Sequence, residues 1–202
     1  MRRILLIAAA VLGTVFIANT ASAQVDTHHG FYASVGVGYG AQTTSVDAGG
    51  GDMFSLSSME TAWYAGIGMG IKPQWAFGID YNYQKAGCSE CGGGVHFTNS
   101  FYTAAATWYP HANNNFYLKL NLGYATGVIN EKCCGNSSEG GFAAGLGFGY
   151  DWAMGNGGFI VKPFATYLAQ VSSASYNNSS DFGGEKGRAQ LLMVGVALGY
   201  KH

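Results

Sequence analysis

Charge is what this chain has least of. Only 10% of its 202 residues are Asp, Glu, Lys or Arg, where a soluble domain carries roughly 25%. A disordered chain needs high charge and few aromatics, so that class is excluded. The formal net charge of -1 leaves no electrostatic footprint for nucleic acid. Proline is scarce as well, with 3 residues, and glycine does not fall at every third position, which excludes collagen. Beyond the first residues no stretch reaches the ~18 consecutive apolar residues of a spanning helix. What the chain has in quantity is glycine, 32 residues, and aromatic side chains, 14%.

The N-terminus reads separately. Arg2 and Arg3 precede an apolar run from Ile4 to Ala18, and Ala21-Ser22-Ala23 supplies the small-x-small pattern of a cleavage site. Residues 1–23 are therefore expected to be a secretory signal peptide, with one mature domain over 24–202. The run is shorter than the ~20 residues of a retained spanning helix. Its removal leaves eight basic and eleven acidic residues, a formal charge of -3.

Through the mature chain the apolar period is two, the strand period, and no helical spacing persists. Trp75, Phe77, Ile79, Tyr81 and Tyr83 alternate with Ala76, Gly78, Asp80, Asn82 and Gln84. Phe116 to Ala125 and Phe142 to Trp152 repeat the pattern, and Phe31 to Tyr39 and Thr61 to Ile71 follow it. Phe159 to Gln170 sets Lys162, Thr166 and Gln170 against Phe159, Val161 and Tyr167, and the last strand runs from Ala189 to Tyr200. Phe97 to Tyr109 is extended, but both its faces are mixed and the pattern does not orient it. The count is eight strands.

The connections alternate in expected length. Long ones fall at Gly40 to Glu60, Ala86 to His96, Gly127 to Ser138 and Val171 to Gly187. Short ones fall at Lys72 to Gln74, Pro110 to Asn114 and Ala153 to Asn156. Alternation of this kind belongs to an up-and-down transmembrane barrel, with short turns on one side and longer loops on the other. Each strand matches the span of about 9–11 residues of a tilted membrane strand. A soluble eight-stranded barrel would point its apolar faces inward and coat itself in charge. Here the polar faces hold mainly Asp80, Lys119, Asp151 and Lys162, too little charge for an aqueous exterior. Aromatics gather at strand ends instead (Tyr39, Trp63, Trp75, Tyr83, Trp108, Tyr109, Tyr124, Trp152), as in interfacial girdles. The expected fold is all-β, an eight-stranded antiparallel up-and-down transmembrane β-barrel.

Signal peptide, strand number, glycine–aromatic alternation and closing strand together resemble the small outer-membrane β-barrel family typified by the OmpA barrel and OmpX. That family's assembly signal is a polar residue, Gly two positions on, and two hydrophobic positions ending in an aromatic. It maps here to Met193, Gly195, Leu198 and Tyr200, with an apolar first position and with Lys201-His202 beyond the aromatic. The resemblance implies a monomer in the bacterial outer membrane, in contact with lipid and lipopolysaccharide. It also implies insertion by the barrel assembly machinery and external loops free to meet a ligand.

Four sets of residues bear on chemistry. Asp80, Lys119, Asp151 and Lys162 fall on inward faces of four strands. Unpaired charge there is costly, so ion pairing is expected. An eight-stranded barrel is just wide enough to be filled by its own side chains, which favours a sealed polar core over a narrow pore. The inward glycines argue the other way, by leaving room for water beside Tyr32, Tyr64 and Tyr117. Cys88 and Cys91 lie in the second long connection and Cys133 and Cys134 in the third. In an oxidising compartment they read as disulfides, with three possible connectivities; a thiolate metal site with Glu90, Glu131 or His96 is the alternative. A lipid-modifying barrel enzyme would need a nucleophile, a base and an orienting acid in contact, and His96 with Thr98, Ser100 and Glu139 is the one set on offer. Gly145-Leu-Gly-Phe-Gly sits inside a strand and is no phosphate loop, and no motif for a cofactor is present. The expected role is structural and surface interaction without catalysis, with a narrow pore as the alternative.

Overall fold

The computed structural model describes residues 29–47, 53–87, 95–112, 114–131, 135–154, 158–172 and 186–202. The expected signal peptide, 1–23, and Cys88, Cys91, Cys133 and Cys134 lie outside the described residues. The strands are β1 (Gly30–Asp47), β2 (Met53–Lys72), β3 (Trp75–Gly87), β4 (Val95–Trp108), β5 (Phe116–Glu131), β6 (Gly135–Tyr150), β7 (Trp152–Met154), β8 (Phe159–Gln170) and β9 (Lys186–Lys201). The sheet order is β6-β5-β4-β3-β2-β1-β9-β8-β7, every pair is antiparallel, and a further pairing of β6 with β8 closes the wall.

β7 is the end of β6 rather than a ninth stave. Gly149 faces Phe164 and Trp152 faces Val161, so the register against β8 passes the break at Asp151 without a slip. The break falls beside the position opposite Pro163, which has no N–H to give to a ladder. The Asp151 N–H donates instead to the Asn115 carbonyl at 2.9 Å. Eight staves result, as the strand count predicts.

The alternation sets inside from outside. Phe77, Ile79, Leu118, Leu120, Leu122, Leu146, Val196 and Leu198 are all exposed on the outer surface. Water would charge roughly 25 cal/mol for each Å² of this apolar belt, whereas lipid does not. From Phe116 to Tyr124 the belt of β5 covers eight residue steps. That is about 27 Å of strand, or about 20 Å across a membrane at a tilt of about 40°. Tyrosines mark its far edge and reach neighbouring strands: Tyr39 Oη donates to the Met59 carbonyl and Tyr167 Oη to Gln190 Oε1, each at 3.0 Å. Among the described residues no helix is long and apolar enough to cross a membrane; the crossing elements are strands.

β4 resolves the unoriented segment. Phe97, Asn99, Phe101, Thr103, Ala105, Thr107 and Tyr109 are buried inside, while Tyr102 and Trp108 face out. The faces look mixed because two phenylalanines point inward and the outward positions between Tyr102 and Trp108 are alanines.

The long connections are shorter than expected. β1 and β2 stay paired as far as Asp47 and Met53, and β5 and β6 as far as Glu131 and Gly135. Apolar alternation marks a strand only where one face meets lipid. Beyond the belt the Thr-, Ser- and Val-containing segments still favour extended pairing without an apolar face to announce it. At the short-turn end Gly158 has φ +78°, a conformation open to glycine, and its carbonyl accepts the Lys201 N–H at 2.8 Å. His202 N–H donates to the Phe31 carbonyl at 3.0 Å, so the two residues beyond the terminal aromatic continue the wall.

Candidate functional site in the barrel interior

The four inward charges meet as two pairs. Asp80 projects from β3 and Lys119 from β5, and their side chains bridge β4 with Nζ 2.7 Å from Oδ2. Tyr64 of β2 completes the group: its hydroxyl donates to Asp80 Oδ1 at 3.1 Å and accepts from Lys119 Nζ at 3.2 Å. Asp151 and Lys162 face each other nearer the short-turn end, with Nζ 3.4 Å from Oδ1, and Tyr109 Oη donates to Asp151 Oδ2 at 2.9 Å. Both carboxylates are buried, where an uncompensated charge would be costly and a paired, hydrogen-bonded one is tolerated.

Tyr117 stands between the pairs. Its ring centroid is 5.8 Å from Lys119 Nζ and 5.2 Å from Lys162 Nζ, within range of cation–π attraction to both. Tyr32 covers Lys162 at 5.2 Å and Tyr64 covers Lys119 at 4.9 Å. Tyr109 packs edge-on to Tyr117 at 5.9 Å. The inner half of the barrel is thus a column of ammonium groups, carboxylates and phenols.

The inward glycines make room for those phenols. A Cβ at Gly66 would lie 2.3 Å from Tyr64 Oη, at Gly68 2.4 Å from Tyr32 Oη, and at Gly149 2.4 Å from Tyr117 Oη. At these three glycines the rings themselves take up the room, so the space expected beside Tyr32, Tyr64 and Tyr117 is confined elsewhere. Two cavities remain beside the ion pairs, of about 10 Å³ each.

Toward the longer loops the interior holds a layer of apolar side chains, edged by the buried amides of Gln84, Asn99 and Gln170. Phe101, Leu168, Leu191 and Met193 are fully buried, with Phe164 and Ala62, Ala125, Ala143 and Ala189 around them. Phe164 packs on Tyr64 at 5.0 Å and so joins this layer to the ionic one. Sequence patterning missed the layer. β9 has large apolar residues on both faces at Leu191 to Val194, and this doubling was the available signal.

His96, Thr98 and Ser100 follow one another at alternate positions of β4. Two residues of strand separate side chains by about 7 Å, beyond hydrogen-bond reach. Ser100 Oγ meets Tyr81 Oη at 3.4 Å instead. Glu139 pairs through its backbone with Gly127, and its side chain lies outside the described residues. Among the described residues no group of three or more His, Cys, Asp or Glu is placed to hold a metal ion.

No family model and no curated protein matches the chain. Solved structures do. Neisserial surface protein A is 14% identical, with 85% of this chain and 97% of that one covered and a TM-score of 0.58. The outer membrane protein AlkL, solved by solid-state NMR in lipid bilayers, is 12% identical, with 90% and 95% covered and a TM-score of 0.52. Likeness at this level concerns the fold. By its fold the chain is a small eight-stranded up-and-down β-barrel with an apolar exterior suited to lipid, similar in fold to these two outer-membrane proteins.

Proposed function

We propose that the protein is a sealed outer-membrane barrel whose work is structural and interactive: it anchors in the membrane and presents the connections at its long-loop end outside the cell. The observation that carries this reading is the filled interior. Two closures lie in series, the ionic and phenolic column around Tyr117 and the apolar layer of Phe101, Leu168, Leu191 and Met193. An ion crossing the second would leave its hydration shell among tightly packed, mostly hydrocarbon side chains, at the high cost of poorly paired charge in such a setting.

Lipid and lipopolysaccharide are the partners of the outer belt under this reading, the assembly machinery is the partner during insertion, and any external ligand meets the loops. The cysteines serve the same role. Val95 pairs with Glu131, so the strand ends that flank the segments bearing Cys88 and Cys91 and bearing Cys133 and Cys134 lie side by side. Disulfides between the two segments would staple the presented surface. A non-catalytic role is supported by the spacing of His96, Thr98 and Ser100 along one strand. Planar-bilayer recording of the folded, unreduced protein tests the proposal: silence supports it, and discrete conductance steps favour the narrow pore.

A further inference from the structure

We infer that the interior binds two single water molecules, one at each ion pair, held apart by the ring of Tyr117. The first site lies against Gly147 of β6. Asn82 is 1% exposed, and its Oδ1 makes no hydrogen bond although it borders a cavity of about 10 Å³. The same cavity is bordered by Lys119 and Thr166. A buried water needs roughly 10–15 Å³ of such space and two to four polar partners, and both conditions hold here. Lys119 gives N–H groups to Tyr64 Oη and Asp80 Oδ2, and an ammonium has a third to give. A water at this point accepts from Lys119 and donates to Asn82 Oδ1, while the Thr166 hydroxyl can accept its second hydrogen.

Gly147 explains why the space exists. At Gly66, Gly68 and Gly149 a tyrosine hydroxyl lies 2.3 to 2.4 Å from where a Cβ would be. At Gly147 the three nearest atoms to that point belong to no ring: they are the Ala165 carbonyl oxygen at 3.0 Å, Thr166 Oγ1 at 3.2 Å and Thr166 Cβ at 3.4 Å. The second site lies at the other ion pair. Asp151 is 5% exposed, and its Oδ1 faces Lys162 Nζ at 3.4 Å but accepts no hydrogen bond; the residue borders a cavity of about 10 Å³ together with Tyr32, Tyr109, Lys162 and Lys201. The occupant must donate to a carboxylate or amide oxygen and fit a volume of one small molecule. Water meets both demands; a metal ion has no hydrogen to donate and would sit beside Lys119 or Lys162.

This inference rests on the interior geometry alone and is distinct from the question of conductance. A crystal structure of the full mature chain, at a resolution that shows ordered solvent, tests it. The expected result is one water within hydrogen-bond distance of Asn82 Oδ1 and one by Asp151 Oδ1, with none bridging across Tyr117. Absence of both waters, or a continuous file of water past Tyr117, overturns it. A second measurement uses the temperature at which the folded gel band converts to the unfolded one. Gly147→Ala is expected to lower that temperature by displacing the first water, and to lower it less when Asn82→Leu has already removed the oxygen that needs it. Equal shifts in the two backgrounds count against the first site.

Discussion

Lys119 Nζ lies 2.7 Å from Asp80 Oδ2, although the two residues stand on strands separated by a third. They meet because β3 and β5 both point small or polar residues inward beside them, Gly78 and Asn82 on one, Asn121 and Gly123 on the other. The pair therefore ties three staves together across the barrel. Breaking one partner of a buried pair costs about 3–5 kcal/mol, while replacing both with apolar residues of similar size is often close to neutral. Lys119→Met alone should thus destabilise by about 3 kcal/mol or more, read from urea unfolding in detergent. Lys119→Met combined with Asp80→Leu should recover most of that loss. Additive losses would show that the two charges act independently.

The contact of Tyr117 with Gly149 gives a sharper steric case. A methyl at Gly149 would meet Tyr117 Oη at 2.4 Å and the Pro163 carbonyl at 2.7 Å, and the second of these is backbone. Overpacking of this kind costs typically about 1–3 kcal/mol. Gly149→Ala is expected to fall in that range in the same unfolding assay. Adding Tyr117→Phe, which removes the hydroxyl, should relieve part of the cost. A Gly149→Ala protein as stable as the parent would mean that Tyr117 does not lie across that glycine.

The cysteines offer a chemical test. The unreduced protein, unfolded in denaturant, should present no thiol to a maleimide reagent, and peptide mapping should link Cys88 and Cys91 to Cys133 and Cys134. Four reactive thiols, or a metal released on acidification, would overturn the disulfide reading. The expected contribution is about 2–4 kcal/mol per bond at most, since a disulfide acts mainly by restricting the unfolded chain.

The outer surface yields a fourth expectation. Leu120 is exposed in the middle of the β5 belt, 46% accessible, and only lipid makes that position favourable. Arg or Lys near the midplane of a barrel's lipid face costs about 2–4 kcal/mol, falling to about 0–1 near the interface. Leu120→Arg should therefore destabilise the protein in bilayers far more than Thr126→Arg, six residues farther along the same outward face. Equal effects would contradict the assigned depth of the belt.

The outward half of this molecule was legible in the sequence. Alternation at Trp75 to Gln84 and Phe116 to Ala125 fixes which face meets lipid, because lipid demands an unbroken apolar face. The inward charges were legible too, since charge on a face otherwise made of Gly, Ala and Asn stands out. The apolar layer was not. Leu168, Leu191 and Met193 sit among apolar neighbours in sequence, and a stretch apolar on both faces carries no period by which to divide them, while Phe101 lies on a strand whose two faces are both mixed. The tyrosines over Gly66, Gly68 and Gly149 escaped notice for a different reason. Which glycine a ring covers depends on contacts with neighbouring staves, as at Gly68 beneath Tyr32, and pattern within one strand cannot contain it.

The central claim is that two closures, one ionic and one apolar, seal the barrel, and conductance addresses it directly. The measurement is single-channel recording of the refolded, unreduced protein in a planar bilayer, with folding established beforehand by the change of gel mobility on boiling. The account predicts no discrete conductance steps in the parent protein. Voltage-stable steps from the folded parent protein would contradict it, because they require a continuous water path past Tyr117 and through the layer of Phe101, Leu168, Leu191 and Met193.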